Sequence, residues 1–352
     1  MDIRNNMLPS KFFAAANTYN GFVSFFDEIF DSADYNKIYV LKGGPGTGKS
    51  SLMKSIANHF NNEDLRIEFI YCSSDPGSLD GVIISAHDKK IAIIDGTAPH
   101  ERDAKIPGAV DEIINLASAL NTRILSNQRD KIIALVKEKQ NGYKIAYSYL
   151  KIASVSQSLI DNIYEENLNI SDIKNEAESL CSSISEENEQ KIFTRLISSF
   201  GRRGKYTPQD FLPNDIERIS ISGSMTSSRI FLENFLSILK AKKHCIVRFP
   251  CPLNPAHTEA IYLPNQRILI ARGKDGIDAD RLIQLSLLHK EEIKTAAIVH
   301  SEALIEAQRW FSIAADIHFR LEEIYGEAMD FSQNDKILNK KITEIENIIE
   351  NI

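Results

Sequence analysis

Residues 43–50, with the sequence GGPGTGKS, constrain the fold of this 352-residue chain more than any other segment. They match the pattern G-x-x-x-x-G-K-[ST] at every specified position. The apolar run KIYVL at 37–41 precedes them, and SLMKSIA at 51–57 is typical of a helix start. A strand, a glycine-rich turn and a helix in this order form a phosphate-binding loop. The sequence therefore predicts an α/β domain built around a P-loop.

The residue types in this loop explain how it would hold phosphate. Glycines let successive backbone N–H groups point at one anion, and the following helix directs its N-terminal partial positive charge there. We expect Lys49 to contact the β- and γ-phosphates as a catalytic residue, and the Ser50 hydroxyl to ligate Mg²⁺. The sequence contains no N-K-x-D guanine-reading motif, which favours ATP over GTP. The predicted nucleotide-binding residues are Gly43, Gly44, Pro45, Gly46, Thr47, Gly48, Lys49, Ser50 and Ser51.

A phosphate-binding loop also needs an acidic group on the metal side, at the end of an apolar strand. The run IAIID at 91–95 supplies one, so Asp95 is predicted to be catalytic and to help hold Mg²⁺. The hydrolytic glutamate expected directly after this acid is missing, because the next residue is Gly96. The residue that orients a water is therefore open among Asp75, Asp80, His100 and Glu101, and the catalytic set is taken as Lys49, Asp95, Asp75 and His100.

The second half of the chain repeats the first at an offset of 179 residues. Residues 71–76 match 250–255 and 80–84 match 259–263; with shifted offsets, 91–95 match 268–272 and 111–116 match 280–285. The same offset places Ser228 at the position of Lys49, and Arg272 matches Asp95. These exchanges remove the phosphate-binding charge and the metal-side acid. We therefore expect a duplicated P-loop NTPase sheet domain in an α/β fold, with a degenerate second copy.

Each half is predicted to continue into a long helical extension. Three apolar stripes have helical spacing: Tyr143, Ala146, Tyr147, Leu150 and Ala153; Trp310, Ile313, Ala314, Ile317, Leu321 and Ile324; and Leu338, Ile342, Ile345 and Ile349. Such stripes are packing surfaces, so we expect two helical arms that pack against each other or against a protein partner. The predicted domains are the P-loop domain at 1–125, an arm at 126–193, the degenerate domain at 194–286 and a C-terminal arm at 287–352.

Composition and charge narrow the class of protein further. The net charge is −7, and residues 154–190 hold nine acidic side chains and one basic one, which is typical of a solvated helix face. This balance argues against a dedicated nucleic-acid binder. The four cysteines form no C-x-x-C pair, and no apolar run reaches the ~18 residues of a membrane span. We expect a cytoplasmic protein with reduced thiols and no membrane partner.

Four segments resemble a poorly characterised family of tandem P-loop ATPases from spore-forming Firmicutes. They are GGPGTGKS at 43–50, CSSDPGSLDG at 72–81, DGTAPH at 95–100 and PGAVDEIINL at 107–116. Members of that family also carry an intact P-loop in the second half, and this chain departs from them there. The resemblance implies nucleotide binding and hydrolysis, without an established substrate.

These observations favour an Mg²⁺-dependent ATPase whose hydrolysis moves the helical arms and so acts on a partner. Two alternatives stay open: a small-molecule kinase with its acceptor near residues 73–81, and a non-catalytic nucleotide sensor, which the missing glutamate favours. Arginines of the second half, or of the segment leading into it, are candidates to stabilise transition-state charge in the first half. They are Arg202, Arg203, Arg229 and Arg272.

Overall fold

A computed structural model of the chain describes residues 8–61, 65–187, 190–273, 279–285, 287–288 and 290–350. Residues 1–7 of the predicted first domain, Glu189 of the acidic segment and the predicted boundary at 286 lie outside the described residues, as do 351–352 of the C-terminal arm. No helix within the described ranges is long and apolar enough to span a membrane.

The first half of the chain forms a sheet and the helices that follow it. Its elements are β1 (Lys11–Phe13), β2 (Ala15–Thr18), β3 (Gly21–Ser24), α1 (Phe26–Ile29), β4 (Lys37–Lys42), α2 (Lys49–His59), β5 (Arg66–Tyr71), β6 (Leu79–Ala86), β7 (Lys89–Asp95), β8 (Asp111–Asn115), α3 (Thr122–Asn127), α4 (Arg129–Asn167) and α5 (Ile170–Ser182). Short 3-10 turns at Ser32–Asp34 and Leu116–Ala119 complete it.

The second half repeats this order. Its elements are β9 (Lys191–Thr194), β10 (Ser199–Gly201), β11 (Gly204–Tyr206), β12 (Glu217–Ser222), α6 (Met225–Ala241), β13 (Cys245–Pro250), β14 (Thr258–Leu263), β15 (Ile268–Arg272), β16 (Arg281–Gln284), α7 (Glu291–Glu327) and α8 (Phe331–Glu350).

Strand β4, which leads into the glycine-rich loop, is buried on both faces of a six-stranded mixed sheet. The strand order is β1-β5-β6-β7-β4-β8, and β4 runs parallel to both β7 and β8. Tyr39 and Leu41 pack beneath α2 and α8, whereas Ile38 and Val40 pack on the opposite face, beside α1. A strand with both faces covered requires a continuous apolar run, which is why KIYVL shows no alternation.

The second sheet has the same strand order, β9-β13-β14-β15-β12-β16, with parallel and antiparallel pairs at the same places. The irregularity between Ile70 and Tyr71 recurs between Phe249 and Pro250. The antiparallel pairs β6–β7 and β14–β15 form hairpins at equivalent places in the two sheets. The structure is therefore mixed α/β with two equivalent six-stranded sheets and long helices, a layout compatible with duplication.

The strand pairing corrects the sequence alignment at the glycine-rich loop by one residue. Leu41 pairs with Asp95 in the first sheet, and Ile221 pairs with Arg272 in the second. Arg272 thus occupies the position of Asp95, as predicted. The offset along β4 and β12 is 180 rather than 179, however, so the residue matching Lys49 is Arg229 and not Ser228.

The long helices α4 and α7 pack against each other in antiparallel directions, one of the two arrangements expected for the arms. Near one end of the pair, Leu135 of α4 lies in one buried cluster with Leu321 of α7. Towards the other end, Leu150 lies in one cluster with Ala303. Between them, a Cβ on Gly142 would lie 3.1 Å from the Cβ of Ala314, so the helix backbones approach closely there.

The last helix of each half packs on the sheet of the other half. Helix α5 follows the first sheet in the chain, yet Ala177 and Leu180 pack in the core of the second sheet. Helix α8 follows the second sheet, yet its buried Ile345 packs in the core of the first. The predicted C-terminal arm therefore ends by covering the first sheet rather than projecting from its own half.

Candidate functional site

The first glycine-rich loop connects β4 to α2 and brings together the two charged residues that the motif singled out. Lys49 Nζ donates hydrogen bonds to the carbonyl oxygens of Gly43 at 3.0 Å and Gly44 at 2.9 Å. The same nitrogen lies 3.7 Å from Oδ2 of Asp95, and both side chains are largely buried. Asp95 reaches this place because β7 pairs directly with β4 in the sheet.

The loop's backbone explains why glycine stands at Gly46 and Gly48. Both have positive φ values, 68° and 85°, which side-chain-bearing residues adopt only at a cost. Gly48 is the N-cap of the 11-residue helix α2 and has no side chain with which to cap it. The N–H groups of the first helical turn are thus left for a ligand, and the helix dipole favours an anion there.

Asp95 and Ser50, the two predicted Mg²⁺ ligands, are held by different numbers of hydrogen bonds. Asp95 Oδ1 accepts hydrogen bonds from Thr97 N at 2.9 Å and Thr97 Oγ1 at 2.6 Å, which fixes the carboxylate. Ser50 Oγ accepts a hydrogen bond from the amide of Leu79 at 3.0 Å. The hydroxyl proton of Ser50 and the second lone pair of its oxygen remain available for a ligand. Ser51 is exposed on the surface of α2.

Two of the four candidates for positioning a water lie beside Asp95. Ligand atoms of Asp80, Asp95 and His100 all lie within 4.8 Å of one another. Burial raises the pKa of Asp80 to about 6; His100 opposes this shift and the nearby Asp95 carboxylate adds to it. The ring of His100 stacks on Phe26 at a centroid distance of 4.5 Å. Within the described part of the chain, neither ring nitrogen of His100 has a hydrogen-bond partner.

The other two candidates lie apart from this cluster. Asp75 Oδ1 accepts a hydrogen bond from Gly77 N at 3.2 Å, and its Oδ2 lies 3.6 Å from Nη1 of Arg202. These contacts hold Asp75 in a turn and in an ion pair with the second half. Glu101 is exposed in the loop after β7. The geometry thus favours Asp80 and His100 over Asp75 and Glu101 as neighbours of Asp95.

Sequence reasoning missed the helix junction that covers the loop. We call residues 322–334, the end of α7 and the start of α8, the α7–α8 corner. A Cβ on Gly44 would lie 2.9 Å from the ring of Tyr325, and one on Gly46 would clash with the Glu322 carbonyl oxygen. Asn334 Nδ2 donates a hydrogen bond to Thr47 O at 2.9 Å. No local motif marks these residues, because the contact joins segments nearly 300 positions apart in the chain.

The matching loop of the second half has a different structure. Helix α6 begins at Met225, one turn earlier than α2 does relative to its strand, and Ser224 Oγ caps it by accepting from Ser227 N at 2.9 Å. Arg229 pairs with Glu165 of α4 at 2.6 Å. The glycine-rich loop is therefore replaced by the first turn of a side-chain-capped helix.

The four arginines predicted to assist the first half fall into two groups. Arg202 and Arg203 form the tip of the β10–β11 hairpin, which lies against the loop that follows β5: Arg202 N donates to Ser74 O at 3.4 Å. Arg229 and Arg272 instead occupy the second half's own site. The hairpin pair therefore lies beside the first sheet's loop, whereas Arg229 engages α4 at the second half's loop.

Comparison with known proteins gives one short match. Residues 24–81 match the family model described as Nephrocystin 3, N-terminal, a stretch that includes β4, the glycine-rich loop and α2. This segment is similar to that family; it is too small a part of the chain to show membership. No curated protein and no solved structure matches the chain significantly.

Proposed function

We propose that the first half binds Mg-ATP and hydrolyses it, and that the chain is a cytoplasmic tandem P-loop ATPase with a degenerate second site. The observation that carries this proposal is the approach of Lys49 Nζ to Asp95 Oδ2, 3.7 Å, at the uncapped start of α2. A lysine for the β- and γ-phosphates, a hydroxyl at Ser50 and a carboxylate for the metal ion are the parts such a reaction uses.

A cavity next to the α7–α8 corner is a candidate place for the nucleoside. It has a volume of about 500 Å³ and lies between residues 118–124, which follow β8, and the α7–α8 corner. Leu116 of the same connection packs against Gly43 of the loop. Ser118, Asn121 and Gln333 are among the residues that line the cavity, and they offer polar groups to a base or a ribose.

The α7–α8 corner supports the proposed coupling of hydrolysis to the helical arms. It is tied to the first sheet by backbone hydrogen bonds from Asn121 N to Ala328 O at 2.8 Å and from Asp330 N to Ala119 O at 3.1 Å. It also closes over Gly44 and Gly46. A γ-phosphate that changes the loop would act directly on α7, and through α7 on α4. Motion of this pair is the proposed output towards a protein partner.

A non-catalytic nucleotide sensor is the second candidate. Gly96 stands directly after Asp95, and its N–H is held by the carbonyl of Leu41 at 3.0 Å, so no side chain extends from that position towards a water. A sensor would bind Mg-ATP through the same loop and release no phosphate. A kinase would form ADP only when an acceptor is present, and the γ-phosphoryl group would end on the acceptor rather than as free phosphate.

Lys49→Ala tests the proposal. We expect isothermal titration calorimetry to show loss of Mg-ATP binding, because the loop would lose its only full charge, while the fold is kept. The matched control is Lys54→Ala, which removes an exposed lysine of the same helix that bonds Gly77 O at 2.7 Å. Unchanged affinity and turnover in Lys49→Ala would reject the assignment; Mg-ATP binding in the wild type with neither phosphate release nor ADP formation on addition of acceptors would select the sensor.

A further inference from the structure

Asp80 and His100 form a buried cluster with Asp95, and its mixed nitrogen and oxygen donors are not what an Mg²⁺ site uses. We infer that these three side chains bind a divalent first-row transition-metal ion, such as Zn²⁺, in the absence of nucleotide. The inference goes beyond the proposed function, since only Asp95 is shared with the Mg²⁺ of the ATP site. It requires neither Lys49 nor the glycine-rich loop.

His100 provides the first line of argument. Its side chain is 6% exposed, and both ring nitrogens lack a hydrogen-bond partner among the described residues. Leaving a buried polar group unsatisfied costs about 1–3 kcal/mol, so such groups nearly always have a ligand or partner. Stacking on Phe26, with an interplanar angle of 12°, fixes the plane of the ring. Nε2 then lies 3.9 Å from Oδ1 of Asp80.

The two carboxylates provide the second line. A tetrahedral site with bonds of about 2.0–2.1 Å places its ligand atoms about 3.3 Å apart. His100 Nε2 and Asp80 Oδ1 are 3.9 Å apart, and the ligand atoms of all three side chains lie within 4.8 Å of one another. Side-chain shifts of about 0.5–1.5 Å would therefore bring them to these separations. Asp80 interacts with the Cys72 thiol, and Asp95 is held by Thr97. Outer partners of this kind orient ligands in metal sites.

The equivalent place in the second half lacks such a cluster of acids, because one acid there is paired with a lysine and the other is replaced by an arginine. Glu259 stands at the position of Asp80, and it pairs with Lys205 and accepts from Ser198 Oγ at 2.8 Å. Arg272 replaces Asp95 there. In the first half, by contrast, two acids and an imidazole lie together, with Lys49 Nζ 3.7 Å from Asp95.

The donor set selects the class of ion. Mg²⁺ prefers all-oxygen octahedral sites, whereas one imidazole with two carboxylates suits Zn²⁺ and its first-row neighbours. Three protein ligands also leave a fourth position for a water or a substrate oxygen. The ammonium group of Lys49, near Asp95, opposes binding of a cation. Replacing it by a neutral side chain should therefore tighten the metal.

The test titrates Co²⁺, whose visible absorption reports nitrogen and oxygen ligation, into the chelator-treated full chain without nucleotide. We expect one Co²⁺ per chain, at least tenfold weaker binding in His100→Ala and Asp80→Asn, and tighter binding in Lys49→Met. The matched control His300→Ala removes another buried histidine, one that bonds the Tyr19 hydroxyl at 3.1 Å, and should leave Co²⁺ affinity unchanged.

Each outcome bears on the metal site separately from the ATP site. Failure of the wild type to bind stoichiometric Co²⁺, or unchanged affinity in His100→Ala, overturns the inference. If His100→Ala does not fold, Asp80→Asn decides, because it preserves the volume of the side chain and removes its charge. Lys49→Met distinguishes the two proposals: loss of Mg-ATP binding in this variant concerns the ATP site, whereas a gain in Co²⁺ affinity concerns the metal site.

Discussion

Lys49 shows how one side chain carries the charge of the whole loop. Its ammonium group is satisfied by the carbonyls of Gly43 and Gly44 and lies within ion-pair distance of Asp95. A phosphate offers charge-assisted hydrogen bonds that are stronger than bonds to neutral carbonyls. We therefore expect the lysine to exchange carbonyl partners for phosphate oxygens in the nucleotide complex, with little movement of its backbone.

Arg202 is the arginine best placed to act on the first half. It sits at the tip of the β10–β11 hairpin, 3.6 Å from Asp75, with its guanidinium stacked 4.8 Å above the ring of Phe319. Arg202→Ala should lower the turnover of ATP and nearly preserve its affinity, because a charge that acts mainly in the transition state contributes little to ground-state binding. Arginine fingers are worth ~10³–10⁵ in rate.

The measurement is steady-state phosphate release together with calorimetric Mg-ATP affinity for each of the four arginine variants. Arg229→Ala is the control, since its guanidinium pairs with Glu165 of α4 at the second half's own loop. Equal turnover in all four variants and the wild type would mean that the second half contributes no charge to catalysis.

At the scale of elements, the glycine-rich loop has a packing role besides its role in binding. Gly46→Ala should destabilise the fold because the new methyl group meets the backbone of Glu322. A positive φ alone costs about 1–2 kcal/mol for a residue with a Cβ. Overpacking adds about 1–3 kcal/mol at this position.

Gly108→Ala separates these two causes. Gly108 has a φ of 82° and nothing within 4 Å of its missing Cβ, so only the backbone cost applies there. Urea unfolding should therefore show a larger loss of unfolding free energy for Gly46→Ala than for Gly108→Ala. Equal losses would show that the α7–α8 corner does not rest on the loop in solution.

The β2–β3 hairpin and helix α7 form a contact that depends on pH. Tyr19, at the hairpin tip, bonds Nε2 of His300 at 3.1 Å, and burial lowers the pKa of His300, partly offset by Asp161. As the pH falls below the unfolded value of about 6.5, the unfolded chain binds this proton before the folded chain does. The contribution of His300 to stability is thus present above that value and is lost on acidification.

His300→Gln should remove this part of the acid destabilisation. Unfolding free energies measured between about pH 7.5 and about pH 5.5 should fall less for the variant than for the wild type. His87→Gln, which removes an exposed histidine of the β6–β7 turn, controls for the loss of one titratable group. Identical pH dependence of the His300 variant and the wild type would contradict the assignment.

The elements that were predictable from sequence are those fixed by local pattern. Strand β4, the loop and α2 follow from one motif, and the second sheet follows from the repeat. The one-residue shift between Ser228 and Arg229 escaped detection because apolar strands align almost equally well at neighbouring offsets. The contacts of Tyr325 and Asn334 with the loop depend on which sheet each long helix returns to, and that is set by packing between distant segments.

On the scale of the whole molecule, the two halves complete each other. Helix α8 covers the first sheet and α5 covers the second. The β2–β3 and β10–β11 hairpins likewise each contact the other half. Tyr19 N donates to Leu253 O at 2.9 Å, and Arg202 N donates to Ser74 O, the residue that matches Leu253, at 3.4 Å. A change at the first loop therefore reaches the second half through a helix corner and a hairpin, which favours a coupled response of the whole chain.

This reciprocity does not make the two loops equivalent, and we expect one nucleotide per chain. In the second half, the hydroxyl of Ser224 already accepts from the first turn of α6, at Ser227 N. Thr226 Oγ1 donates to Asp161 at 2.6 Å, and Glu165 engages Arg229. A triphosphate entering there would meet two carboxylates and find no metal-side acid, since Arg272 replaces Asp95.

Native mass spectrometry with Mg²⁺ and a non-hydrolysable ATP analogue should show one added ligand in the wild type and none in Lys49→Ala. A second ligand of comparable affinity, or one that persists in Lys49→Ala, would show that the second loop binds nucleotide by a different chemistry.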